Sequence, residues 1–162
     1  MPFEPALRAH FHRLNAAWLT KFFVLEPIDE RVLSEPEREI LGPGGAILFA
    51  RSGGEIVGTC ALKLDAPLVY ELTKMAVDER YQGRGIGRTL LAAAIAEFRA
   101  RRGQTLFLET SSKLAPALRL YESMGFERQR APKPDSHYAR SDVYMIFREA
   151  PDAQQGPRGL RR

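Results

Sequence analysis

Between Asp78 and Leu91 the chain reads DERYQGRGIGRTLL, with Gly83, Gly85 and Gly87 alternating with Arg84 and Ile86 ahead of Arg88 and an apolar run. Residues without a Cβ let a backbone curl until successive N–H groups point into one concavity. The opening N–H groups of a helix starting at Ile86 lack internal partners, and the helix dipole adds partial positive charge there. Arg84 and Arg88 supply charge-assisted donors beside them. The pattern predicts an anion site of diphosphate size spanning Gln82, Gly83, Arg84, Gly85, Ile86, Gly87, Arg88 and Thr89. A Walker A loop is excluded because Gly87 is followed by Arg88-Thr89 rather than Lys-Ser/Thr. The dinucleotide fingerprint is excluded because position 88 is not glycine. What remains is Q-x-x-G-x-G, after the strand-like ELTKMAV and before a helix.

The flanking segments must hold this turn. Leu7, Phe11, Leu14, Trp18 and Phe22 recur at helical spacing and predict an amphipathic helix over 5–23. Ser34 and Glu37 predict a capping box, with Pro36 in the first turn of a second short helix. AILFARSGGEIVGTCALKL reads as a hairpin about Gly53-Gly54, and LVYELTKMAV as a third antiparallel strand. A strong helix from Ile86 to Gly103 follows, then strand TLFLET, helix APALRLYESMG and strands FERQR and VYMIF. The predicted fold class is α/β (α+β), with a mixed, mostly antiparallel sheet of six to seven strands and flanking helices.

Length and composition fit one domain: 162 residues, 44% hydrophobic and 27% charged. We assign 1–150 to it and expect the Pro/Gly/Gln-rich end 151–162 to be disordered. The apolar runs are too short for a membrane span and the N-terminus has no signal-peptide core, so we expect a cytoplasmic protein with no membrane partner. The single Cys60 lies in an apolar strand and reads as core. The histidines lack ligand spacing, so no metal is expected. A net charge of +4, partly carried by the tail, is weak support for nucleic-acid binding, and no recognition helix accompanies it.

The turn resembles the acyl-CoA-binding motif of the GNAT family of N-acetyltransferases, and ALRLYESMGF (117–126) is similar to that family's later helix ending Leu-Tyr-x-x-x-Gly-Phe. The resemblance covers roughly residues 5–148. It implies acetyl-CoA as cofactor, its pyrophosphate on the loop amides, and a sheet splayed between the family's fourth and fifth strands. By the same resemblance, backbone groups at Met75, Ala76 and Val77 hold the pantetheine arm and polarise the thioester carbonyl. The implied reaction is direct attack by a primary amine, expected on a small molecule. An alkyl ammonium is neutral in only about one part in a thousand near pH 7, so a base is required. Glu71, directly or through water, is the first candidate and Glu109 the second. Either otherwise reads as a charged strand residue. Tyr121 matches the family's tyrosine that protonates the departing thiolate; otherwise it packs with Leu118 and Phe126.

One departure stands out: Leu114 occupies the place of a frequent cofactor-binding asparagine, which leaves Ser111 or Ser112 to take that contact. NAAWLTKFF and DSHYARSD offer Trp18, Phe22, His137, Tyr138 and Arg140 as acceptor lining. An arginine there suggests an acceptor that carries a carboxylate. The rival readings are a non-catalytic acyl-CoA sensor on the same fold and, behind it, a nucleic-acid-binding protein. A homodimer is left open.

Overall fold

The structure, a computed structural model, describes residues 1–23, 25–136 and 138–148. His137, the expected boundary at 150 and the expected tail 151–162 lie outside the described residues.

The apolar stripe of the N-terminal segment forms a 3-10 turn, Pro5–Leu7, that runs into α1, Arg8–Phe22. The second helix, α2, is Pro27–Ser34. Ser34 therefore ends a helix instead of capping one, and its hydroxyl donates to Glu30. The capping box is made by Glu26 and Asp29, with Pro27 at the first helical position. Pro27 presets the backbone for a helix start, whereas Pro36 pushes Glu35 out of helical conformation (φ −127°, ψ 54°). Glu37–Leu41 then winds as a single π-type turn.

The remaining elements follow the predicted order: β1 Ala46–Ser52, β2 Glu55–Ala66, β3 Val69–Val77, α3 Ile86–Ala100, β4 Thr105–Thr110, α4 Ala115–Ser123, β5 Phe126–Arg128 and β6 Val143–Phe147. They make one six-stranded sheet in the order β1-β2-β3-β4-β6-β5. Pairing is antiparallel except between β3 and β4. Gly53 and Gly54, both at positive φ, close the β1–β2 hairpin. Among the described residues no helix is long and apolar enough to cross a membrane.

Two features of β3 position the site. Its parallel pairing with β4 runs Val69↔Thr105, Tyr70↔Leu106, Glu71↔Phe107 and ends there, although β3 continues to Val77. The sheet thus forks at Glu71. In the pairing with β2, Thr59 faces Ala76 but Ala61 faces Thr73, so Cys60 lies opposite both Lys74 and Met75. This is a β-bulge, and Lys74 takes φ +51° within it. The extra residue inverts the alternation. Tyr70 and Leu72 pack with Met75 and Val77 against Leu90, Leu91, Ala94 and Ile95 of α3. Ala76 packs on the opposite face with Phe11, Leu14 and Leu33. Each sheet face thereby buries its own core.

Candidate active site

The loop before α3 has the conformation its glycines predict. Gly83 (φ +79°) and Gly85 (φ +77°) are left-handed, and Gly85 is the N-cap of α3. A Cβ built on either would meet nothing within 4 Å, so the fold leaves the space before the loop open. Left-handed residues alternating with Arg84 and Ile86 turn successive amides toward one side, as in anion-binding nests. The first intrahelical bond is Thr89 N–H to Gly85 C=O at 3.1 Å, and the N–H groups of Ile86, Gly87 and Arg88 precede it.

From this loop a cleft of about 520 Å³ runs along the fork. Met75, Ala76 and Val77 form one wall and Leu114, Pro116, Ala117 and Leu120 the other. Beyond Glu71 the β3 edge has no β4 partner, so its backbone polar groups are available to an extended ligand. An amide cradle for phosphates leading to an unpaired strand edge and an apolar wall fits the three parts of an acyl-CoA: diphosphate, pantetheine amides and methylene chain.

A second, smaller chamber opens on the α1 side of the fork, lined by Asn15, Glu71, Thr73, Lys74, Glu109, Tyr138 and Arg140 among others. Trp18, Met75, Leu114 and Tyr121 line both spaces. Tyr121 therefore stands at their junction, its ring edge-on to Phe126 at 6.0 Å. Burial pushes its hydroxyl up to about 12, so it keeps its proton throughout the neutral range. Glu71 is buried at the fork. Burial, then the neighbouring Glu109 charge, push its carboxyl up to about 7, against the pull of Lys63 and Lys74. A carboxylate tuned to neutrality can take a proton from an ammonium group and release it again.

The cations of the chamber are committed elsewhere. Lys74 Nζ donates to Asp29 Oδ1 at 2.6 Å, and Arg140 forks onto both Asp29 oxygens at 2.8 and 2.9 Å while reaching Glu26 at 2.7 Å. Tyr138 is buried, with Lys74 and Arg140 each 4.8 Å from its ring centroid.

Other predicted residues stand apart. Arg84 lies over the Tyr81 ring at 4.9 Å, and Arg88 donates to Ser123 and Met124 at the end of α4 while lining the cleft. The Thr89 hydroxyl donates to Gly85 C=O. The N–H and hydroxyl of Ser112 both donate to Asp142, so Ser112 is tied to the β5–β6 connection and does not line the cleft. Leu114 lines it, at the N-cap of α4. Gln82 lines it too, and its side-chain amide donates to Val77 C=O. Phe22 lines the cleft while 46% exposed.

Asn15, Thr73 and Lys74 were missed from sequence. Asn15 had a readable signal, a polar residue four after Phe11 on the buried helix face. The inward turn of Lys74 depends on the bulge, which no local pattern announces.

A forked α/β sheet with an amide cradle at one mouth and a tyrosine between two clefts defines an acyl-CoA-using transferase. The Acetyltransferase (GNAT) family model matches residues 11–126, and the chain belongs to that family. It is 36% identical over 118 residues to the N-alpha-acetyltransferase RimI of Mycobacterium tuberculosis, covering 71% of this chain and 73% of the relative. It is 32% identical over 127 residues to a mycothiol acetyltransferase of Sanguibacter keddieii, covering 70% of this chain and 40% of that relative. A GNAT acetyltransferase structure from Staphylococcus aureus superposes with TM-score 0.81 at 20% identity, covering 91% of this chain and 96% of that one. A Salmonella typhimurium acetyltransferase solved with acetyl-CoA does so with TM-score 0.71 at 22% identity, covering 94% and 96%. The chain is a GNAT acetyltransferase, and acetyl-CoA is its acetyl donor.

Proposed function

We propose that this chain acetylates the α-amino group of an acceptor whose adjacent carboxyl is masked, as at the end of a peptide or in an aminoacyl amide. The observation that carries the reading is the placement of Tyr121 at the junction of the cleft and the Glu71 chamber. Bound acetyl-CoA supplies an activated acetyl thioester. The amides of Gly85 to Arg88 hold its diphosphate, and backbone groups of Met75 to Val77 orient the carbonyl and stabilise the charge that develops on it. Glu71, as carboxylate, takes a proton from the acceptor ammonium, leaving a neutral nitrogen to attack the carbonyl carbon. Tyr121 Oη gives its proton to the sulfur as the carbon–sulfur bond breaks.

Charge in the chamber favours this acceptor class. Lys74 and Arg140 are neutralised by Asp29 and Glu26, while Glu71 and Glu109 face the chamber without an ion pair among the described residues. A cationic amine is attracted there; a free carboxylate beside it is repelled. The arginine that suggested a carboxylate-bearing acceptor is already bound to two carboxylates. An α-amine, with a pKa of about 8, also needs less from its base than a lysine side chain. The similarity to an N-alpha-acetyltransferase points the same way.

Thiol release from acetyl-CoA, measured against alanyl and glycyl tripeptide amides, free alanine and free lysine, tests the reading. Turnover on the peptide amides with little on the free amino acids is expected. Turnover confined to free amino acids overturns the acceptor class. Tight acetyl-CoA binding without turnover on any amine makes the chain a sensor.

A further inference from the structure

Asp29 belongs to α2, contributes nothing to the acetyl-CoA cleft, and is fully buried with its carboxylate saturated. Oδ1 accepts from Lys74 Nζ and Arg140 Nη2; Oδ2 accepts from Arg140 Nη1 and, at 3.0 Å, from the Glu26 N–H that begins the helix. Its three partners lie on three separate segments. Lys74 is the left-handed residue of the β3 bulge, directly before Met75 at the fork. Arg140 belongs to the β5–β6 connection, whose Ala139 N–H also reaches Glu26. The Glu26 amide fixes the start of α2. Arg140 and Lys74 each also lie 4.8 Å from the Tyr138 ring centroid, and that ring walls the chamber containing Glu71.

We propose that Asp29 is a positioning residue that couples the two halves of the reaction. Through Lys74 it fixes the bulge that presents the Met75 and Ala76 amides to the donor. Through Arg140 it fixes the 138–141 segment that shapes the acceptor chamber. The inference rests on the transfer reaction proposed above and adds a division of labour to it.

Geometry supports a shared carboxylate over two independent ion pairs. A strand lysine at φ +51° is strained, and a buried partner is needed to keep it there. Arg140 presents the planar fork that binds a carboxylate bidentately, which a lysine could not replace. The cluster is also electrically closed: Asp29 and Glu26 against Lys74 and Arg140. Removing one cation therefore leaves the other paired, and Glu26, only partly buried, can be solvated.

The test uses the full-length protein with acetyl-CoA and an alanyl tripeptide amide, which has no carboxylate for Arg140 to bind. Arg140→Met is expected to raise the KM for the peptide about tenfold, with kcat and acetyl-CoA affinity within about threefold of the parent. Arg140→Lys, which keeps the charge but loses the fork, should recover only part of that. Lys74→Met is expected to lower kcat about tenfold with little change in peptide KM. It should also move the acid limb of the pH–rate profile upward, because it deletes a cation beside Glu71. The charges that face Glu71 are Glu109 from β4, Lys63 and Asp65 from β2 and Lys74 from β3, with the Tyr138 hydroxyl opposite. Asp29→Asn should show both losses, if it folds. Amide exchange at 138–141 and at Met75 and Ala76 reads the coupling without any acceptor, and faster exchange at both places is expected in that variant. Equal loss in every parameter for the two cation variants, or unchanged peptide KM in Arg140→Met, overturns the coupling. Absence of turnover in the parent overturns the transfer reading instead, and the exchange result then decides the coupling alone.

Discussion

Glu71 has a cost that its proposed task requires. Its carboxyl holds a proton up to about pH 7 in the fold, through burial and the nearby Glu109 charge, whereas an unfolded glutamate releases it near 4.5. The folded state therefore binds the extra proton, and stability falls as pH rises from about 4 to 7, by up to about 3 kcal/mol. Glu71→Gln removes that penalty. Urea titration should find the variant more stable than the parent at about pH 8 and indistinguishable at about pH 4. The same change should reduce kcat/KM by about a hundredfold or more and erase the acid limb near 7; an intact limb would transfer the base role to Glu109 or water. Tyr121→Phe keeps the ring against Phe126 and removes only the hydroxyl. Its kcat should fall about a hundredfold while acetyl-CoA affinity, read by calorimetry, changes by less than about threefold. Since Tyr121 keeps its proton up to about 12, the parent should show no alkaline limb from this group below about pH 10.

At the scale of elements, the loop and the bulge do opposite things with left-handed backbone. Gly83 and Gly85 use it where no neighbouring atom crowds a Cβ, so their cost is only chain entropy; under the proposed placement the open space takes the diphosphate. Lys74 uses it with a side chain attached, and its buried ion pair opposes the strain. Gly85→Glu should consequently abolish acetyl-CoA binding, by adding bulk and negative charge to the cradle, while the fold persists. Calorimetry with coenzyme A and a thermal melt would check the two halves; undiminished affinity would place the diphosphate elsewhere. The forked pairing of β3 and β4 is the second device of this scale. Stopping the ladder at Glu71 sacrifices strand hydrogen bonds for an edge that a ligand can pair with.

Across the whole molecule, the cluster about Asp29 joins α2, the β3 bulge and the β5–β6 connection. Burial alone would raise the Asp29 carboxyl, but hydrogen bonds and charge from Arg140 and Lys74 outweigh it and hold it at about 2. A depressed carboxylate stabilises the fold above its unfolded pKa near 3.8, and that contribution, about 2 kcal/mol, is lost as pH falls through about 2. Stability of the parent should therefore drop across this acid window. Asp29→Asn, already destabilised near neutrality, should lose less there, as a urea midpoint series over pH would show.

Much of the fold and half of the site were legible in the residues themselves. Glycine at left-handed positions, apolar spacing and hairpin turns are local rules, so the loop from Gln82 to Arg88, the Gly53-Gly54 hairpin and α3 were all readable. Tyr121 and Glu71 are legible as candidates in the sequence, yet their shared chamber depends on where a parallel ladder stops. The short helix expected after Ser34 is present as the turn Glu37–Leu41 but without a Ser34 cap, whereas α2, capped by Glu26 and Asp29, has no counterpart in the expected elements. Arg140 and Ser112 read as ligand donors in the sequence because a lone chain shows donors but hides their partners; Asp29 and Asp142 lie far from them along the chain. The sequence alone determined the left-handed glycine loop that opens α3 and the order of the elements from β1 onward, since both follow from neighbours a few residues apart. Only the tertiary structure decided which charges remain free to act, because pairing and desolvation are set by segments 30 to 111 residues distant.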